Sequence, residues 1–313
     1  MTELLFFLGF VALIGGAHSL VEGAASLGRK LHIPSIVIGL TIVAFGTSLP
    51  ELVISGFAAF QGETELSIAN VLGSNLLNIL IILGITAIII PIPANRNTVF
   101  KVIPGSIFIT IVLFIMMFFL NQGKASINRM EGILLLVLFV LYLLFNRRMS
   151  KNSVREHHEE SIKTYSVFIS LLITLLGLGA LFIGGRWIVN GATAIATKLG
   201  ISQSVIGLTL VALATSLPEL VTSVVAALKK KTDIAIGNLV GSNIFNILMV
   251  LGVSSVIRPL PVYPELKTDL IIVLATTVLL FLMLVLKRKK FILQRIEGGI
   301  LVTAYIIYIL FRL

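Results

Sequence analysis

The stretch Gly39-Leu-Thr-Ile-Val-Ala-Phe-Gly-Thr-Ser-Leu-Pro-Glu-Leu52 returns 168 residues later as Gly207-Leu-Thr-Leu-Val-Ala-Leu-Ala-Thr-Ser-Leu-Pro-Glu-Leu220, with 11 of 14 positions identical. The same offset, without gaps, places Gly23, Ala24, Lys30 and Leu31 on Gly191, Ala192, Lys198 and Leu199. It also places Asn70, Gly73, Ser74, Asn75, Asn78, Gly84, Pro91 and Pro93 on Asn238, Gly241, Ser242, Asn243, Asn246, Gly252, Pro259 and Pro261. Near the end of each copy, Arg129-Met-Glu-Gly132 matches Arg295-Ile-Glu-Gly298 at a slightly smaller offset. The chain therefore reads as two related halves, residues 1–146 and 165–313, joined by a linker at 147–164.

Both copies are apolar. Of the 313 residues 57% are hydrophobic and 12% charged, about half the charge of an ordinary soluble domain. Apolar runs of roughly 20 residues, enough to cross a hydrocarbon core, recur along the chain. They are continuous rather than alternating, which selects helices over a barrel. Ten spans are expected: Leu4–Leu27, Pro34–Phe60, Leu66–Ile90, Val102–Asn121, Gly132–Phe145, Ser166–Val189, Ser202–Leu228, Ile234–Ile257, Leu270–Leu286 and Gly298–Phe311. The fifth and tenth are short, with Arg129/Glu131 and Arg295/Glu297 at their starts placed to snorkel. The fold class is an all-α polytopic membrane protein. Five spans per half is an odd number, so the second half enters the membrane in the opposite sense. Inverted repeats of this kind are a recurrent plan of secondary transporters, with the substrate site at the midplane between them. The repeat does not name the substrate.

The net charge of +10 is a topology signal rather than a nucleic-acid footprint. With ten spans, 17 of the 24 lysines and arginines fall on one side, among them Arg29, Lys30, Arg96, Lys101, Lys229, Lys230, Lys231 and Lys287–Lys290. An excess of Lys and Arg marks the cytoplasmic side, which puts both termini outside. The lipid bilayer is thus the expected partner and nucleic acid is not, with some attraction to anionic lipid. Cysteine is absent, which excludes disulfides and thiolate metal sites. The linker mixes basic, acidic and serine residues and reads as a solvated loop, His157 and His158 beside Glu159 and Glu160 included. No His, Cys or nucleophile constellation falls within the spans, so an enzyme is not expected. The oligomeric state is left open and is compatible with a monomer.

Glu51 and Glu219 fall in the middle of the second and seventh spans, with no lysine or arginine near in sequence. A central acid costs about 2.5–3.5 kcal/mol on insertion scales, and here the cost is incurred once per half. One such glutamate also admits the reading of a protonated group bonded to a neighbouring helix; two in the same motif point to a site. Pro50 and Pro218 cannot donate to the carbonyls of Gly46 and Ala214, and the carbonyls of Thr47 and Thr215 are loosened with them. Thr-Ser adds hydroxyls. Carboxylates, carbonyls and hydroxyls together suit a hard cation: Ca²⁺ takes 6–8 oxygen ligands, whereas Zn²⁺ or Cu⁺ would want Cys or His. In the third and eighth spans Ser74, Asn78, Ser242 and Asn246 are spaced by four on one helical face and are expected to contact the ion. Asn75 and Asn243 read either as ion contacts or as hydrogen bonds between helices.

The paired Thr-Ser-Leu-Pro-Glu and Gly-Ser-Asn-x-x-Asn motifs resemble the α-repeats of the cation/calcium antiporter superfamily. The likeness is greatest to prokaryotic sodium/calcium exchangers and covers nearly the whole chain. It implies ten helices in a prokaryotic cell membrane, spans 2, 3, 7 and 8 forming the ion core and long spans 1 and 6 sliding across it. It implies that Glu51, Glu219 and the carbonyls of Thr47 and Thr215 hold Ca²⁺. Na⁺ would use the glutamates, the carbonyls of Ala44 and Ala212, the threonines, Ser74 and Ser242, with Asn78 and Asn246 at the centre. The ions are cargo, and no prosthetic group is implied. Asn246 departs from relatives that carry an acid there, potassium-dependent members among them, and leaves Glu51 and Glu219 as the central charges. Ala214, where the first copy has Gly46, is a smaller departure.

The expected activity is Na⁺/Ca²⁺ exchange by alternating access, electrogenic, with a proton-coupled calcium or cation antiporter as the alternative. His18 and Arg186 hold equivalent positions in spans 1 and 6; they line an entry path, or else snorkel or bond between helices. Glu22, near the cytoplasmic end of its span, is expected to pair locally.

Overall fold

The computed structural model describes residues 2–119, 126–152, 164–198, 212–286 and 291–312. Eleven helical segments account for most of them: α1 (Thr2–Lys30), α2 (Ser35–Thr47), α3 (Leu49–Gln61), α4 (Thr64–Ile89), α5 (Thr98–Phe119), α6 (Arg129–Asn152), α7 (Val167–Lys198), α8 (Ala212–Leu228), α9 (Thr232–Ile257), α10 (Pro264–Val285) and α11 (Arg295–Arg312). Seven are long and apolar enough to cross a membrane, or eight if α2 and α3, bent by 47°, are one span. Large side chains such as Phe7, Phe57, Phe168, Leu175 and Phe311 are exposed, as a lipid-facing surface requires. The molecule is a multi-pass membrane protein. The linker from residue 153 to 163, with His157, His158, Glu159 and Glu160, lies outside the described residues. So do residues 199–211, which include the first ten of the expected seventh span, and Lys287–Lys290.

Enclosure is uneven. The apolar windows of α4 and α9 are 72% and 78% buried, against 22–39% for the other spans. These two helices therefore carry the centre of the molecule. Packing against α9 is close because Gly237 and Gly241 meet Gly39 and Leu40 of α2 backbone to backbone.

At the periphery α1 lies along α7. Gly9, Gly16 and Gly23, two turns apart, meet Gly184, Gly177 and the Ser170–Thr174 turn in that order, so the pair runs antiparallel. A Cβ on Gly177 would stand 2.5 Å from the backbone nitrogen of Leu20, which cannot yield, whereas Gly179 faces open space. Gly177→Leu is accordingly expected to lose about 1–3 kcal/mol, read as a lower unfolding temperature in detergent, while Gly179→Ala stays at the parent value.

Two short antiparallel ladders tie connections together. β1 (Ile92–Pro93) pairs with β4 (Ile292–Leu293), and β2 (Ser126–Ile127) with β3 (Leu260–Pro261). Each ladder joins one connection from either half.

The helices at the expected fifth and tenth spans start earlier than expected. They are α6 and α11, which begin three residues before the expected starts because Glu131 and Glu297 cap them. The Glu131 carboxylate accepts the Asn128 N–H at 2.7 Å while Asn128 Oδ1 accepts the Glu131 N–H at 3.0 Å, a reciprocal cap. Glu297 accepts the Gln294 N–H at 2.6 Å. The two glutamates therefore serve backbone donors at the helix starts. At its other end α6 continues to Asn152, past the boundary expected at 146, with Arg147 placed where the helix dipole favours cations.

Candidate ion-binding site

The second span breaks at Ser48, whose φ of −88° and ψ of 7° end α2 and start α3. Pro50 then falls in the first turn of α3, where a missing N–H costs nothing. The second copy behaves differently: Pro218 lies inside α8, a helix continuous from Ala212. The unwinding expected of both prolines is thus found at one. In α4 and α9 the Ser-Asn-x-x-Asn segments lead into wider, π-helical turns at Leu77–Leu83 and Asn246–Val250, a distortion frequent at functional sites.

These elements bring the two glutamates into one buried cluster, each about 1% exposed. Ser74 donates to Glu51 Oε1 at 3.4 Å, and Ser242 to Glu219 Oε1 at 3.5 Å. Ser48 crosses between the copies to donate to Glu219 Oε1 at 3.0 Å. The hydroxyls of Thr47 and Thr215 likewise approach the glutamate of the other copy. The two carboxyl groups are near enough to repel one another when both are ionised.

The four asparagines close the cluster. Asn75 and Asn243 exchange side-chain N–H groups with each other's backbone carbonyl, both at 3.3 Å. Their Oδ1 atoms accept from Asn246 Nδ2 at 3.1 Å and from Asn78 Nδ2 at 2.9 Å. Asn75 and Asn243 therefore join α4 to α9, and they orient Asn78 and Asn246. With the Nδ2 atoms engaged, Oδ1 of Asn78 and of Asn246 has no hydrogen-bond partner among the described residues, as is also the case for Oε2 of Glu51 and of Glu219. Four buried oxygens without donors, each worth about 1–3 kcal/mol if unsatisfied, fit a hard cation as substrate. Among the described residues no group of three or more His, Cys, Asp or Glu forms a conventional metal centre.

The expected ligands thus divide. Glu51, Glu219, Ser74, Ser242, Asn78, Asn246, Thr47 and Thr215 come together. The Ala44 carbonyl accepts the Ser48 N–H at 3.0 Å, so one of its lone pairs is already used. Ala212 opens the described part of α8, one turn before Thr215. The start of the second motif, Gly207–Val211, lies outside the described residues.

The family model described as sodium/calcium exchanger protein matches residues 2–147 and again 169–313. The chain belongs to the sodium/calcium exchanger family. CaxA of Alkalimonas amylolytica is 38% identical over 307 residues, 96% of this chain and 95% of that one. The sodium/calcium exchanger MaX1 of Methanosarcina acetivorans is 30% identical over 345 residues, 98% and 97% of the two chains. A structure of the sodium-calcium exchanger NCX_Mj, soaked with Na⁺ and no Ca²⁺, superposes with a TM-score of 0.85 at 33% identity, covering 99% of both chains.

Not anticipated from the sequence are the reach of the Ser48 hydroxyl to the glutamate of the other copy and the pairs behind the threonines and serines. Asn238 Oδ1 lies 3.0 Å from the Thr47 hydroxyl, and its Nδ2 donates to Ser223 at 3.0 Å. Asn70 donates to Ser55 at 2.9 Å. Retention of these residues in both copies was the available signal. Glu22, expected to pair locally, instead meets Lys229 and Lys231 of the α8–α9 turn at 2.7 and 3.1 Å, because α1 packs against α8.

Proposed function

We propose that this exchanger-family chain is a secondary antiporter exchanging Na⁺ for Ca²⁺ by alternating access. The observation that carries the reading is the buried pair Glu51 and Glu219, each with one oxygen that has no donor among the described residues, as is also true of the amide oxygens of Asn78 and Asn246. We read the chain as ten membrane helices in two inverted halves, 1–146 and 165–313, with 147–164 as a cytoplasmic linker and both termini outside. The eight-span reading plus α8 and α11 gives ten, and the antiparallel packing of α1 on α7, the first helices of the two halves, supports the inversion.

In this reading Glu51, Glu219 and the Thr47 and Thr215 carbonyls hold Ca²⁺. Na⁺ uses the same glutamates with Ser74, Ser242, the threonines and the Ala44 and Ala212 carbonyls; Asn78 and Asn246 serve at the centre. Charge then enforces coupling. The ion-free site holds about −2, and passing it through a low-dielectric barrier is costly. One Ca²⁺ or a Na⁺ load neutralises it, so loaded sites turn over and the empty one does not. More than two Na⁺ per Ca²⁺ would move net charge across the membrane. The sodium/calcium exchanger name of a relative matched over nearly its whole length supports Na⁺ rather than H⁺ as the coupling ion.

The test imposes Na⁺, K⁺ and H⁺ gradients separately on proteoliposomes and follows ⁴⁵Ca²⁺ uptake. Uptake with a Na⁺ gradient alone is the expected result. Uptake driven by a pH gradient without sodium would replace Na⁺ by H⁺.

A further inference from the structure

The α8–α9 turn carries a charged cluster that the ion site does not use. Glu22 of α1 meets Lys229 Nζ at 2.7 Å and Lys231 Nζ at 3.1 Å, and His18 Nε2 lies 3.0 Å from Lys229 Nζ. The side chains of Glu22, Lys229 and Lys231 are 22%, 19% and 8% exposed, so screening by salt is reduced relative to a surface pair. The turn joins α8, which holds Glu219, to α9, which holds Ser242 and Asn246.

The same turn exists in the first copy with different chemistry. Lys230 and Lys231 return N–H groups to Ala227 and Ala226, both at 2.8 Å; Gly62 and Glu63 return theirs to Ala59 and Ala58 at 3.2 and 2.8 Å. Lys230 and Gly62 both have positive φ, 61° and 97°. Yet the counterparts of Glu22, Lys229 and Lys231 are Asn190, Gln61 and Glu63. Neutral Asn190 cannot ion-pair with that turn. Among the described residues no ion pair joins Arg186, the counterpart of His18, to Glu63.

We propose that the contact of Glu22 with Lys229 and Lys231 is a one-sided latch that biases the protein toward one of its two orientations. The inference rests on the alternating-access reading. In an inverted-repeat carrier the second orientation arises when the halves exchange conformations, so α1 and the α8–α9 turn take the relation that α7 and the Gln61–Glu63 turn have now, in which the described residues show no ion pair. A contact available at one of two pseudo-equivalent places adds its free energy to one state.

The chain has no cysteine. Ser55→Cys and Ser223→Cys, at equivalent buried positions one turn beyond each glutamate, therefore report the two faces of the site to an impermeant thiol reagent applied to vesicles from either side. Glu22→Gln is expected to change the ratio of the two labelling rates about five-fold, and the exchange Glu22→Lys/Lys231→Glu to restore it. Lys229→Gln is the milder variant and should move the ratio in the same direction. An unchanged ratio in both single variants, or no recovery in the exchange, overturns the latch. Labelling does not require transport, so the expected ratios in a chain that carries no Ca²⁺ would support the latch and sink the exchange reading alone.

Discussion

Glu51→Gln is expected to reduce Na⁺-driven Ca²⁺ uptake at least about 100-fold while leaving the protein folded. The substitution keeps the shape and an acceptor for Ser74 but halves the charge of the site and presents an amide N–H₂ group to the ion. At an effective dielectric constant of about 20 the attraction between a carboxylate and a dication in contact is roughly 10 kcal/mol or more before desolvation, so one carboxylate cannot substitute for two. The ion-free protein should respond in the opposite sense. Glu51 and Glu219 repel one another when both are ionised, and neutralising one removes that repulsion, so the unfolding temperature without Ca²⁺ should hold or rise. Glu219→Gln should behave alike. Near-normal uptake by both variants would sink the site assignment.

The second large effect is expected at Asn75, which the ion need not touch. Asn75→Leu removes the donor to the Asn243 carbonyl and the acceptor of Asn246 Nδ2. Two buried groups are left unsatisfied, at about 1–3 kcal/mol each. Part of the loss falls on stability. The rest falls on the ion, because Asn246 is freed to turn its N–H₂ group toward the site. The apparent Ca²⁺ affinity should drop about ten-fold or more, with a lower unfolding temperature. Ser254→Ala is the matched comparison: its hydroxyl is equally buried but has no partner among the described residues, so both readouts should stay near the parent values. Unchanged affinity in Asn75→Leu would remove the orienting role.

What could be read from the sequence follows the strength of the physical signal. Continuous apolar runs marked the spans, because a membrane allows few alternatives. The glutamates were legible because burying an acid twice at the same motif position is costly without a use. The roles of the asparagines were not. Spacing places Asn75 and Asn78 on α4, but which amide faces the neighbouring helix depends on rotation and on the π-helical turn that follows, neither of which is written in the pattern. The reach of Ser48 to Glu219 spans 171 positions and depends on the break at Ser48. The matching proline in α8 is accommodated inside a continuous helix, so one motif gave two backbones. Glu22 was misread for a related reason: its partners lie 207 and 209 positions away, brought near only by the packing of α1 on α8.

The two ladders have a consequence for assembly. Each draws one strand from either half, and between them the Asn75–Asn243 exchange bonds the halves at the centre. Under the two-half reading, the covalent connection between the halves is then a tether rather than the source of their register. Its contribution is to hold one half near the other at an effective concentration on the order of millimolar, while the docked interface itself supplies register and orientation.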